Sequence, residues 1–332
     1  MSIAFNPRPR RPRFSPVACS PVLGALGAVD LAPSWFAEED ALEVRIARTA
    51  RHRRAVSALL RWLTYAAAAV TAAVLLFVVG YILVRGVPAL SPDLFQWEYT
   101  SENVSLLPAL ASTVIMALLA LALAVPVGVG AAIYLVEYAR RGSRFVRLVR
   151  VTAETLQGIP SIIYGLFGML FFVTACGWGL SLLSGACTLA IMVLPVIMRT
   201  TEEALMAVPD SYREGGFGLG AGRLRTVARC VLPSAVPGIL GGVILALGRC
   251  VGEVAALLFT AGTVAQIPDF AGQGIFALFD SCRTLAVHMY TLACEGLHVN
   301  EAYATSVVLL ILVLLLNAAM RVVAQKMEVS KK

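Results

Sequence analysis

Six apolar blocks, each roughly 17 to 28 residues long, constrain this 332-residue chain more than any other feature. A block of that length, wound as a helix, crosses about 30 Å of hydrocarbon. The blocks run from about Trp62 to Val84, Ala109 to Val136, Thr152 to Cys176, Leu182 to Met198, Ala235 to Thr260 and Ala304 to Val323. With 59% hydrophobic and only 14% charged residues, the composition lies outside soluble usage, where about a quarter of residues are charged. The expected fold is an all-α membrane protein of six transmembrane helices.

Cationic residues fix the expected orientation, because cytoplasmic segments retain Lys and Arg. Ten precede the first block, five lie in Arg140 to Arg150, five in Arg199 to Arg229 and four in Arg321 to Lys332. The alternate segments hold only Arg85 and Arg283, and Arg249 lies inside the fifth block. Both termini are therefore expected on the cytoplasmic side of the membrane. The net charge of +7 follows from this topology and gives no reason to expect nucleic acid as a partner.

The organisation expected is an N-terminal extension over 1–61, a six-span domain over 62–325 and a short tail over 326–332. Met1 to Ala37, rich in Arg and Pro, reads as disordered. Glu38 to Arg61 has helix-forming composition and ends in Arg51, Arg53, Arg54 and Arg61, which suits the inner membrane surface. The seven cysteines show no metal-ligand spacing. Cys282 and Cys294 share one external segment, so a disulfide between them is one option there. His52, His288 and His298 are too dispersed for a metal or catalytic cluster. No phosphate-binding P-loop and no Gly-x-Ser-x-Gly elbow occurs, so no catalytic residue, metal site or cofactor of its own is expected.

Two places carry candidate chemistry. The first is the inner loop over 199–233. Ser211 and Glu214 have capping-box spacing and predict a short helix, while Gly215, Gly216, Gly218 and Gly220 each weaken it by roughly 1 kcal/mol against Ala. A helix so poor in propensity is expected to be held by contact with something else. The second is the charged pair in the fifth block. Arg249 and Glu253 are four apart and, on a continuous helix, share one face and pair. Charges at that depth are costly and face a polar pathway or each other. A purely structural salt bridge is the alternative. Arg199, at the inner end of the fourth block, is either an anion contact or an interface anchor. Pro126, Pro160, Pro195 and Pro237 are expected to kink their helices.

The inner loop resembles the signature of permease subunits of ATP-binding-cassette importers: E-A-A, three residues, G, nine residues, I-x-L-P. Glu214, Gly215 and Gly216 stand for E-A-A, Gly220 for the G, Cys230 for the Ile, and Leu232 and Pro233 for L-P. The resemblance implies the type I importer fold and a coupling helix docking on an ATPase, with Arg213 and Glu214 fixing its register. A finer similarity, to PstA-type phosphate permeases, rests on Arg249, Gly252-Glu253 and Leu257-Leu258-Phe259-Thr260-Ala261. Leu194-Pro195 with Arg199-Thr200-Thr201-Glu202, Gln157-Gly158-Ile159-Pro160-Ser161, and His288-Met-Tyr290 add to it. It implies a PstC-like second permease, two PstB-like ATPases that bind ATP-Mg, and a periplasmic PstS-like phosphate-binding protein. It also implies Arg249, Glu253 and Arg199 in the substrate pathway. A sulfate or molybdate importer is the nearest alternative. An ion-coupled secondary transporter normally needs two repeats in one larger chain, and a membrane scaffold leaves Arg249 and Glu253 unexplained.

Overall fold

A computed structural model describes residues 34 to 329 except Arg141, with side chains described from Val56 onward except at 323, 324 and 326–329. Most of the stretch expected to be disordered, and the end of the tail, lie outside the described residues. The chain divides between Ala73 and Val74 into two compact units. Described residues of the first belong to one helix, α1 (Ser34–Gly86), which takes in both the segment expected at the membrane surface and the first apolar block.

Among the described residues, every regular element of the second unit is helical. After the end of α1 come α2 (Leu107–Ile133), α3 (Arg144–Gln157), α4 (Ser161–Gly168), α5 (Leu182–Met206), α6 (Asp210–Gly218) and α7 (Arg223–Thr226). They are followed by α8 (Leu232–Val251), α9 (Ala255–Thr260), α10 (Phe270–Gln273), α11 (Leu285–Glu295) and α12 (Val299–Val329). Three helices run on as π-turns: α2 into Tyr134–Tyr138, α4 into Met169–Ala175 and α7 into Val227–Val231. Five stretches among the described residues are long and apolar enough to span a membrane, and α3 with α4 makes a sixth if the bent pair is one span.

Helix α5 is the centre of this unit. Ser181 caps it, its hydroxyl accepting the Ser184 N–H at 3.2 Å. Leu182, Leu189, Met192, Val193 and Ile197 are buried among Met116 and Ala120 of α2, Ala246 and Leu247 of α8, and Leu257 of α9. Small residues permit the closest approaches. A methyl at Gly165 of α4 would lie 2.8 Å from Ala256 Cα on α9, and one at Gly128 of α2 would lie 2.9 Å from Ile197 of α5. At lipid depth, where water exerts no hydrophobic drive between helices, such small-residue contacts supply the packing.

Two of the six expected spans are corrected. The third does not run straight from Thr152 to Cys176: α3 and α4 meet at a bend of 102° over Gly158–Pro160. Pro160 lacks an N–H and forces the residue before it out of helical geometry. Side chains at the bend make two further hydrogen bonds. Tyr164 Oη donates to Leu156 O at 2.7 Å, and Gln157 Nε2 crosses to Pro195 O at 3.0 Å. The fifth span is not continuous from Ala235 to Thr260 either. It extends back to Arg223 through the π-turn, then stops at Val251, and α9 starts afresh at Ala255. Cys282 and Cys294 are free thiols, the first buried and the second exposed, so the optional disulfide is not formed.

Candidate functional sites: the inner loop and the interrupted fifth span

The inner loop folds as α6 between the end of α5 and the start of α7. Helix α6 begins at Asp210 with Pro209 at the cap position and no side-chain cap, so the expected capping box of Ser211 and Glu214 does not form. What holds the helix is Arg213. Its side chain is 16% exposed and pairs with Glu137, 7% exposed, at the end of α2: Nη2 to Oε1 is 2.7 Å and Nε to Oε1 is 3.1 Å. The same guanidinium donates to Leu205 O at 3.0 Å, Val208 O at 2.9 Å and Asp210 Oδ1 at 3.1 Å. Leu205 O lies in the last turn of α5, where it also accepts the Val208 N–H at 3.3 Å, and Val208 O lies two residues past the helix end. The hydrogen bonds to Glu137 raise the Arg213 pKa above its ordinary value. Arg213 is thus turned into its own chain. A cleft of about 390 Å³ beside it is lined by Leu135, Arg140, Val146, Arg150 and Asp210.

The signature glycines separate into two kinds. Gly220 has φ +76° and closes a Schellman turn, with its N–H on Phe217 O at 2.9 Å and that of Ala221 on Gly216 O at 3.1 Å. Gly216 is buried, and a methyl there would come within 2.7 Å of Thr226. These two serve the loop's own fold. Gly215 and Gly218 have open space where a side chain would go. Glu214 and Gly215 are exposed, as are Tyr212, Phe217, Leu219 and Leu224, Leu219 at 91%. Leu232 and Pro233 are half-buried at the start of α8. The exposed surface of α6 therefore mixes Tyr212 and Phe217 with Asp210, Ser211 and Glu214, while Arg213 faces in.

Arg199 is exposed and bridges two helices, pairing with Glu154 of α3 and, at 3.1 Å, with Glu203 of α5. Arg150 of α3 pairs with the buried Glu202 alongside. A 200 Å³ cleft lies between these groups. Together they clamp α3 onto α5 just before the Pro160 bend.

The break in the fifth span undoes the pairing expected from spacing. Arg249 stands in the last turn of α8 and Glu253 in the non-helical link, and no ion pair joins them among the described residues. Glu253 Oε1 instead accepts the Ala256 N–H at 3.3 Å, serving the first turn of α9. Arg249 and Glu253 are both half-buried, Gly252 between them is exposed, and Thr260 of α9 packs within reach of Gly168 on α4.

Glu137, Arg150, Glu154, Glu202 and Gln157 take part in these contacts without having been expected from the sequence. One signal for Glu137 existed: it is a lone carboxylate at the inner end of an apolar block, where an unpaired charge is expensive. Nothing local marks its partner, 76 positions away.

Residues 124–329 match the family model described as binding-protein-dependent transport system inner membrane component. A probable ABC transporter permease protein, YqgI of Bacillus subtilis, is 36% identical over 268 residues, covering 76% of this chain and 90% of that protein. The phosphate transport system permease protein PstA 1 of Mycobacterium tuberculosis is 40% identical over 154 residues, 46% of this chain and about half the length of that relative. Among solved structures, a bacterial ABC transporter involved in import of the acidic polysaccharide alginate superposes with TM-score 0.56 at 16% identity, covering 80% of this chain and 96% of that one. That likeness is one of fold. A signature loop folded between two spans, a central buried helix and a family match over 124–329 lead to one assignment: the chain belongs to the binding-protein-dependent transport system inner membrane component family, the membrane-embedded permeases of ABC transporters.

Proposed function

We propose that this chain is the PstA-type subunit of a phosphate importer and forms half of the translocation path. The observation that carries the reading is the surface of α6, where Tyr212, Phe217 and Leu219 are exposed on a helix anchored inward by Arg213. These exposed apolar side chains outside the membrane need a cover, and a groove on a cytoplasmic ATPase supplies it. Two such ATPases hydrolyse ATP-Mg. A second, PstC-like permease completes the path, and a PstS-like binding protein delivers phosphate from the opposite face. Both termini lie on the ATPase side.

Motion of α6 reaches the membrane by two rigid connections. Arg213 ties α6 to the ends of α2 and α5, and α7 runs through the π-turn into α8 without a break. At the far end of α8 stands Arg249, which has no carboxylate partner among the described residues and so is available to an oxyanion. Phosphate as the substrate rests on the residues shared with PstA-type permeases and on the relatives that carry that name.

The test is uptake of radiolabelled phosphate by cells carrying Arg249→Met, alone and with Glu253→Gln. Each variant should assemble with its partners and lose uptake. Recovery in the double variant makes Arg249 structural and overturns the pathway assignment. Transport of sulfate or molybdate in place of phosphate by the wild-type complex overturns the substrate.

A further inference from the structure

We propose that Arg283 and His288 form a binding site for a tetrahedral inorganic oxyanion, covered by the ring of Tyr99, at the end of the unit opposite α6. Arg283 stands just before α11, its N–H on Val264 O, next to the start of α2, where Thr113 Oγ1 accepts the Leu285 N–H at 2.7 Å.

Arg283 is 5% exposed, and its Nε and Nη2 are buried without a hydrogen-bond partner. Those two nitrogens form one edge of the guanidinium plane. Their N–H groups are parallel and spaced to take two oxygens of one oxyanion. Among the described residues no carboxylate lies within ion-pair distance of that edge. One face of the plane is covered instead, by the Tyr99 ring with its centroid 4.5 Å from Cζ. The in-plane edge stays open to an acceptor.

His288 supplies a further donor. It is fully buried and meets the same Tyr99 ring edge-on at 6.1 Å. The Val104 carbonyl faces the imidazole, but neither ring nitrogen makes a hydrogen bond of ordinary geometry. A neutral imidazole always carries one N–H. The unpartnered donors that suit an anion are those of Arg283, while the imidazole brings one N–H and one acceptor nitrogen to the same place.

The cover is tied down and strained at once. Thr100 N–H donates to Asn103 Oδ1 at 2.9 Å, Asn103 Nδ2 to Glu98 O at 2.8 Å, and Ser105 Oγ to Gln96 O. Beside these bonds Val104 adopts φ +44°, a left-handed value that β-branched residues rarely take. Such strain collects at ligand clamps and switches. The geometry stands apart from the transport reading, which contributes only phosphate as the first probe.

The experiment is hydrogen–deuterium exchange on the full chain purified with its partner subunits in lipid nanodiscs, without the binding protein. Phosphate is titrated against chloride at matched ionic strength. Phosphate, and not chloride, should slow exchange across 96–106 and 283–288 several-fold. Arg283→Lys keeps the charge but loses the parallel edge, and should weaken the effect about tenfold or more. Arg283→Gln should abolish it, with assembly checked by co-purification. An absent phosphate effect, or an equal one in Arg283→Gln, overturns the site. Repeating the titration in Arg249→Met separates the two arginines: protection retained there supports a second site, and protection lost means the signal came from Arg249.

Discussion

Arg213 and Arg283 are both largely buried, one at each end of the second unit, and their surroundings are opposite. Arg213 has Glu137, Asp210 and two helix-end carbonyls around it. Arg283 has an aromatic ring on one face and two unpartnered nitrogens. Burial alone does not tell what an arginine is for; the supply of acceptors does. A guanidinium whose donors are all used is a rivet, whereas one with a free parallel edge is a receptor.

The largest effect expected is at the rivet. Arg213→Met leaves Glu137 charged and buried without a partner, which costs about 3–5 kcal/mol. The thermal midpoint of the purified complex should drop, and the ATPase should no longer co-purify. Adding Glu137→Gln should restore most of the stability. A single variant with an unchanged midpoint would make the two arginines alike and end the comparison.

Second comes pH at the receptor end. Burial, and then the charge of Arg283, push the His288 pKa down from 6.5 to about 3. The folded chain holds His288 neutral while the unfolded chain protonates it below about 6.5. Stability should therefore fall as pH drops from about 6.5 towards 3, by about 2 kcal/mol at pH 5. His288→Phe should flatten that part of the profile, and an unaltered slope would remove His288 from the account.

Third are the loop glycines. Gly220→Leu forces a side chain into left-handed backbone and should cost about 1–2 kcal/mol in the isolated subunit. Gly215→Leu should leave that stability alone yet impair ATPase co-purification, because its side chain points into open space. Normal co-purification with Gly215→Leu would move the docking surface off this part of α6.

The smallest effect is at Arg283, with inverted sign. In anion-free buffer Arg283→Met should stabilise by roughly 1 kcal/mol, since it removes a buried charge that has no counter-charge. Added phosphate should reverse the order by stabilising only the wild type. A loss above about 2 kcal/mol without phosphate would mean that Arg283 is a rivet too.

The number of membrane spans, the inner loop and its short helix were legible in the sequence because each follows from local pattern. Block length gives the spans, and signature spacing gives the loop. What failed was any inference that needs an unbroken helix. The i,i+4 spacing of Arg249 and Glu253 presumes helical backbone across Gly252, yet the chain leaves the helix there and Glu253 turns to Ala256. Pro160 was visible as a kink, but not that α3 beyond it lies bent by 102° from α4. The Arg213–Glu137 pair was hidden for another reason. Contacts between positions 76 apart leave no periodic trace in the sequence.

The interruption at Gly252–Val254 also has kinematic meaning. A continuous rod would carry any rotation of α7 to the far side of the membrane. Here α8 ends as a lever with its own tip, and α9 rides on α4 through the Gly165 and Gly168 contacts. Torque delivered at the inner loop is spent at the height of Arg249, so spin labels on α8 and α9 should change separation during turnover while labels on α4 and α9 hold theirs. The fifth span is a crank with a joint, with Arg249 in the last turn before it and Glu253 within it.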